Sequence, residues 1–362
     1  MTPEETRFGS GWISGVLSAT LGTMGFGGVL CLLFPSLLTS PELRAIYPIN
    51  LVRGLIHFTL LAAFLLGVIS VVLRPNKMLG SAGIGFSLLA AALGGSQIEV
   101  GSPVRSSTYV GLDWFLLDLL LMALIFVPLE RFFARLREQS TFRPGWVTDL
   151  AYFCTSHLLM QALVLLTMIP AAVFFRWAVN APFQRDVGSQ PAWQQFIEIL
   201  VLADLATYTI HRMFHAIPLL WRFHQIHHSS QSMDWLAGSR LHIVDVVVTR
   251  AFVFIPFYVF GFSTGPVYCY LVFVSFHAVF VHANVRFRFG FLTRVIGTPQ
   301  YHHWHHSAEP EAIDKNFAIV LPIIDQVFGT LYLPQEKWPK VYGIEGNPVP
   351  EKFGPQVVYP FR

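Results

Sequence analysis

The sequence predicts an all-α protein, a helical bundle that crosses a membrane several times and carries a histidine-rich cap. Three observations support this. Of 362 residues, 54% are hydrophobic and only 12% are charged, whereas a soluble domain carries roughly a quarter charged residues. Several apolar stretches approach the roughly 20 residues that a bilayer-spanning helix needs. Twelve of the fourteen histidines fall between positions 211 and 306.

Taken in order, the apolar segments lie at 12–36, 51–73, 78–95, 111–129, 149–175 and 193–210, with a further pair at 246–261 and 266–283. The N-terminal MTPEETRFGS is acidic and has no basic region before its apolar run, so no cleaved signal peptide is expected. Arg131, Arg135, Arg137 and Arg143 crowd the linker 130–148, which should therefore face the cytoplasm. Counting spans from there puts the end of 193–210, and the histidines after it, on the cytoplasmic side. Pro256, Gly261, Gly265 and Pro266 punctuate the last pair as a two-armed hairpin. Such a hairpin returns the chain to the side it left, so histidines before and after it can meet.

Composition divides the chain into an N-terminal transmembrane region at 1–140 with no recognisable role, a histidine-bearing domain at 141–335, and a surface tail at 336–362. Cys31, Cys154 and Cys269 each sit in apolar sequence, and no spacing pairs them. A net charge of +3 without dense Lys/Arg runs argues against nucleic acid as a partner.

The histidines come in boxes. His211 and His215 in HRMFH are four apart and share a helix face. His224, His227 and His228 in HQIHH occupy i, i+3 and i+4, and His302, His305 and His306 repeat that spacing in HHWHH. Neutral imidazole suits iron, zinc, copper and nickel. Eight rings exceed the four that one tetrahedral zinc takes, so two adjacent ions fit the count. His282, at the end of the second hairpin arm, is a candidate ninth ligand. His277, roughly 140° around the helix from it, and His242 are further possibilities, while His57 and His157 read as structural. His303 lies between ligand positions and points away from them. The fold class is therefore an all-α, multi-span integral membrane bundle with a cytoplasmic, histidine-rich dimetal cap.

Ligating histidines need an acceptor on the second ring nitrogen. Asp204, seven residues before His211 and inside an apolar segment, is the first candidate; Asp245, Asp314 and Asp325 follow. Trp235 and Trp304 either line a substrate or brace the ligands.

The stretches HRMFH, HQIHHSS, PQYHHWHHS, DKNFA and DQVFGT together resemble the fatty acid hydroxylase and sterol desaturase superfamily, over about 195–335. The resemblance implies a membrane non-haem diiron oxidase. It would use O2, and electrons from a cytochrome b5 or ferredoxin-type donor, to hydroxylate or desaturate a C–H bond of a lipid. It further implies metal ligation by His211, His215, His224, His227, His228, His302, His305 and His306, with His282 at a less regular position. The third box departs from the family pattern in carrying His303, and His277 lies five rather than four residues before His282. Two iron ions are expected, with zinc able to substitute in purified protein. The competing readings are a histidine-rich divalent-metal transporter and a metal-dependent membrane hydrolase. The first needs polar groups deep along a path; the second usually includes bridging carboxylates, which the boxes lack.

Overall fold

The computed structural model describes residues 9–101, 109–334 and 337–362. The acidic N-terminal octapeptide, on which the signal-peptide expectation rests, lies outside the described residues. Fifteen α-helices follow one another without a named strand among the described residues: α1 (Trp12–Leu33), α2 (Pro35–Leu38), α3 (Pro41–Ile46), α4 (Ile49–Leu73), α5 (Met78–Ala92), α6 (Leu112–Phe133), α7 (Trp146–Phe174), α8 (Ala181–Ser189), α9 (Ala192–Ala216), α10 (Pro218–His228), α11 (Ile243–Phe260), α12 (Thr264–His282), α13 (Pro299–His305), α14 (Pro322–Val327) and α15 (Phe353–Val358). Six are long and apolar enough to cross a membrane: α1, α4, α5, α6, α11 and α12. The chain is an integral, multi-pass membrane protein.

Two of the expected spans are not among these six. The segment 193–210 becomes α9, whose Gln194, Gln195, Glu198 and Asp204 lower its hydropathy. The segment 149–175 becomes α7, in which the side chains of 160–165 are outside the described residues. In the hairpin, Pro256 sits within α11 rather than in the turn. The chain reverses at Gly261, which ends α11 with φ 69°, a conformation glycine adopts without a Cβ clash.

The chain forms two compact units, Met1–Leu121 and Met122–Arg362. In the first, α1, α4 and α5 pack against one another around Val29, Leu32, Ile56 and Ala90. Close approach depends on small residues: a Cβ on Gly22 would lie 2.8 Å from the Gly83 carbonyl oxygen. Bilayer-spanning helices associate by this kind of packing because lipid offers no hydrophobic drive between them.

In the second unit α11 packs on α7 and α9, and α12 on α9 and α13. Ile199, Ala203, Phe257 and Tyr270 form one core cluster, and Ile210, Phe214 and Phe223 another beside the first histidine box. Proline opens α10, α13 and α14 within their first turn, where a missing N–H costs nothing. The unit begins about twenty residues before the boundary read from composition, because the chain at 130–136 bonds to 284–286: Glu130 accepts from Asn284 N at 2.8 Å, and Arg286 N donates to Phe133 O at 2.9 Å. The C-terminal stretch is not a surface tail. Val349 and Tyr342 are buried, Gln356 is fully so, and Val349 joins Tyr152 and Ile226 in a core cluster. Its Pro and Gly residues had suggested a solvated extension, but they mark the bends that let it wrap the domain.

Candidate metal centre

Each histidine box is a short stretch of helix, and each is capped or braced close to its ligands. Thr298 caps α13, its hydroxyl accepting from Tyr301 N at 3.3 Å. His211 and His215 close α9; His224, His227 and His228 close α10; His282 is the last residue of α12.

These rings converge into two sets. His211, His215, His224, His228 and His305 each bring one ligand nitrogen within 4.8 Å of all the others, and so do His227, His282, His302 and His306. The two HxxHH boxes split in the same way. In the second box His224 and His228 serve the five-histidine set and His227 the other; in the third box His302 and His306 serve the four-histidine set and His305 the other. Helix geometry explains this: i+4 lies about 40° to one side of i and i+3 about 60° to the other. Each helix therefore points between two centres and feeds both.

Nearest approaches within the sets are His211 Nε2 to His224 Nε2 at 3.0 Å, and His302 Nε2 to those of His282 and His306 at 3.1 Å each. Nε2 of His215, His228 and His305 is buried without a hydrogen-bond partner among the described residues. Buried nitrogens left unpartnered are costly, and a cation at their centre would satisfy them. The donor set fits a late first-row metal: all nine groups are imidazoles, and among the described residues no carboxylate oxygen belongs to either set. Burial, reinforced by neighbouring imidazoles, holds His224, His227, His228, His302, His305 and His306 well below the usual imidazole pKa. They are neutral at pH 7, with a lone pair free for a cation.

The outward-facing Nδ1 atoms find acceptors. His224 Nδ1–H donates to Asp245 at 2.6 Å and His215 Nδ1–H to Asp314 at 3.1 Å. His211 donates to Phe317 O at 2.7 Å and His305 to Lys315 O at 2.8 Å. One loop, 314–317, thus supplies three acceptors to the five-histidine set. It can do so because Asp314 and Asn316 adopt left-handed backbone (φ 56° and 59°), which Asp and Asn tolerate better than other side chains. Asn316 is tied to both sides, donating to Tyr301 O (2.9 Å) and Tyr332 O (2.8 Å) and accepting from Tyr332 N (2.7 Å).

Two expected participants do something else. Asp204 touches no histidine; its carboxylate accepts the backbone N–H groups of Ile319, Val320 and Leu321 at 3.0, 3.1 and 2.6 Å. The two-turn spacing puts it on the right face but too far down the helix, where a loop rather than a ring meets it. Asp325 likewise binds Phe317 N at 2.8 Å and Ala318 N at 2.9 Å, and accepts from the Tyr301 hydroxyl. Asp204 and Asp325 therefore hold the loop that holds the histidines.

Residues 196–330 match the fatty acid hydroxylase family. This part of the chain is similar to that family in sequence. Similar proteins are the ornithine lipid hydroxylase OlsE of Rhizobium tropici, 34% identical over 45% of this chain and 49% of the relative, and the alkylglycerol monooxygenase of Homo sapiens, 33% identical over 39% of this chain and 31% of the relative. A very-long-chain aldehyde decarbonylase of Oryza sativa subsp. japonica is 26% identical over 38% of this chain and 46% of the relative. The chain spans about half the length, or less, of these curated relatives. No solved structure matches it.

The remaining histidines and both candidate tryptophans lie outside the two sets. His242 caps α11, its Nδ1 accepting from Val244 N at 3.1 Å while Nε2 donates to Val357 O at 3.1 Å. His277 donates from Nε2 to Ile319 O at 3.1 Å and stacks on Phe273. His303 is fully buried and faces away, as the helix angle requires. Trp304 donates to Lys337 O at 3.2 Å and packs edge-on against Tyr332, so it braces α13. Trp235 is buried against Phe153, with its backbone N–H on Glu130. His57 bonds to the Ser96 hydroxyl across 39 residues of chain, and His157 bonds locally to Phe153 O.

Sequence reasoning missed a buried ion network beside the four-histidine set. Arg143 donates to Asp234 (2.7 and 2.8 Å) and to Asp149 (2.6 Å), and Arg240 donates to Asp149 at 2.5 Å. It fixes the loop whose Arg240 carbonyl accepts from His227 Nδ1 at 3.3 Å. The same loop carries Gly238, where a Cβ would lie 2.7 Å from His282 Nδ1. Asp149 in the first turn of a long apolar helix was the available signal.

Proposed function

We propose that this protein is a membrane-bound, O2-dependent lipid hydroxylase that holds two iron ions in the nine-histidine cluster. The observation that carries the reading is the division of nine convergent imidazoles into a five-membered and a four-membered set. Five imidazoles exceed the four ligands of tetrahedral zinc, and late first-row metals accept such donors. His211, His215, His224, His228 and His305 would hold one ion, and His227, His282, His302 and His306 the other. Bound there, the metal pair would supply O2 activation, drawing two electrons from an external donor and two from the lipid C–H bond. The overall balance is a lipid C–H bond, O2, two electrons and two protons going to C–OH and water.

The chain's own residues prepare that chemistry. Asp245, Asp314 and the carbonyls of Lys315 and Phe317 fix the tautomers and ring planes, leaving Nε2 free to ligate. Burial of the cluster excludes bulk water, which limits unproductive loss of oxidising equivalents. Membrane-capable helices α11 and α12 bring the apolar phase, and with it a lipid, to the histidine-bearing ends. The names of the relatives, hydroxylase and monooxygenase, favour hydroxylation over desaturation. Electrons would come from a cytochrome b5 or ferredoxin-type protein, and the cluster would face the cytoplasm. Arg131 and Arg137, exposed around the end of α6, support that orientation.

Full-length protein purified in detergent after growth with iron should contain two irons per chain and oxidise a lipid only when O2 and a reductase system are present. Well-folded protein that takes up fewer than two ions per chain, with no O2-dependent lipid product, would refute the proposal.

A further inference from the structure

His303, the one imidazole of HHWHH that joins neither set, has a complete and directional set of partners. His303 Nε2 lies 3.1 Å from the carbonyl oxygen of His282, which can only accept, so Nε2 carries the proton. Its Nδ1 lies 2.9 Å from the Tyr342 hydroxyl. That hydroxyl accepts from Arg135 Nη1 at 2.7 Å, so its own proton is directed at His303 Nδ1. Arg135 is fixed in turn, donating to Pro339 O at 2.6 Å with its guanidinium 4.9 Å from the Trp338 ring centroid. Each group in the row Arg135, Tyr342, His303, His282 thus has a defined role.

The end of the row is a metal-set residue at a helix terminus. His282 is the last residue of α12, and the last carbonyls of a helix have no partner within it. A buried donor from another element satisfies this one. The donor's neighbour on α13, His302, brings its Nε2 within 3.1 Å of His282 Nε2 on the other side. His303 therefore clamps the backbone of one ligand-bearing helix to another, and the 337–342 strap supplies the far end of the clamp.

We infer that His303 is a positioning residue for the four-histidine site, held in register by Tyr342 and Arg135 of the C-terminal strap and the α6 end. The inference rests on the two-metal reading and needs no contact between His303 and metal. Removing the clamp frees the end of α12 and weakens the site that His282 shares. The five-histidine set, which contains neither His282 nor His302, keeps its ion.

The test is a Co2+ titration of metal-stripped full-length protein in detergent, read by visible absorption and by ions bound per chain. The wild-type chain should take two ions. In His303→Phe the second ion should bind about 10–100-fold more weakly, the usual cost of losing a group that orients a ligand, while the first is unchanged. His303→Gln, whose amide N–H can still reach the His282 carbonyl, should restore most of that affinity. Tyr342→Phe removes one hydroxyl and should weaken the second ion alone by a smaller factor; it decides the matter should His303→Phe fail to fold. The inference is overturned if the variants hold both ions as tightly as wild type, if they weaken both equally, or if His303→Gln is as weak as His303→Phe. Fewer than two ions in the wild-type chain would instead defeat the two-metal reading itself.

Discussion

The five-histidine and four-histidine sets draw on the same α10 and α13 boxes but are braced by different chemistry. Around the five, two carboxylates and two loop carbonyls take the Nδ1 protons of His224, His215, His211 and His305. Around the four, His227 and His282 reach only backbone carbonyls, of Arg240 and Ala278, and Nδ1 of His302 and of His306 has no hydrogen-bond partner among the described residues. A carboxylate acceptor raises the basicity of its imidazole more than an amide carbonyl does. The first set is therefore oriented electrostatically and the second mechanically, by a glycine-lined gap, a buried ion network and the ends of two helices. The difference teaches that the two centres should fail independently and under different substitutions.

The largest effects should come from the rings themselves. His305→Ala should abolish activity and empty the five-histidine site, and His227→Ala should do the same to the four-histidine site, each leaving about one ion per chain by elemental analysis. Retention of two ions in either variant would remove that residue from the ligand set. Next comes Asp245→Asn, which keeps the shape but loses the charge facing His224. Affinity for one ion should fall about 10–100-fold in a metal titration, with the other untouched; an equal loss at both would erase the contrast drawn above.

Asp314→Asn should act in the same direction but more weakly, by no more than about tenfold, because Asp314 is 63% exposed and solvent screens it. The hydrogen bond from His215 holds its carboxyl below the usual carboxylate range, so the interaction survives to mildly acidic pH and salt should weaken it. Asp204→Ala should lower thermal stability by about 1–3 kcal/mol through the three amides it leaves unpaired, with metal loss confined to the five-histidine site whose loop it anchors. The smallest effects belong to His242→Asn and His277→Gln, each of which keeps its hydrogen-bonding role. Both should retain two ions, and loss of one would return that residue to the ligand set.

Much of the centre was legible because helical spacing is rigid. A box read as i, i+3, i+4 fixes which rings share a face and excludes His303, whatever the rest of the chain does. His282 was legible only as the end of an arm. The carboxylates were ordered wrongly for a physical reason: Asp204 was ranked by distance along its own helix, whereas Asp245 and Asp314 meet their rings across 21 and 99 residues of chain. The tail was misread because proline and glycine mark bends, and bends serve a buried strap as well as a solvated extension.

By itself the sequence determined a helical membrane protein with enough convergent imidazole for two ions, because composition, apolar length and helical period are local properties. Only the tertiary structure decided how nine rings divide into five and four, which carboxylates face them, and that a buried histidine joins α13 to the end of α12. Those depend on the angle at which helices distant in sequence meet, and no single helix encodes that angle.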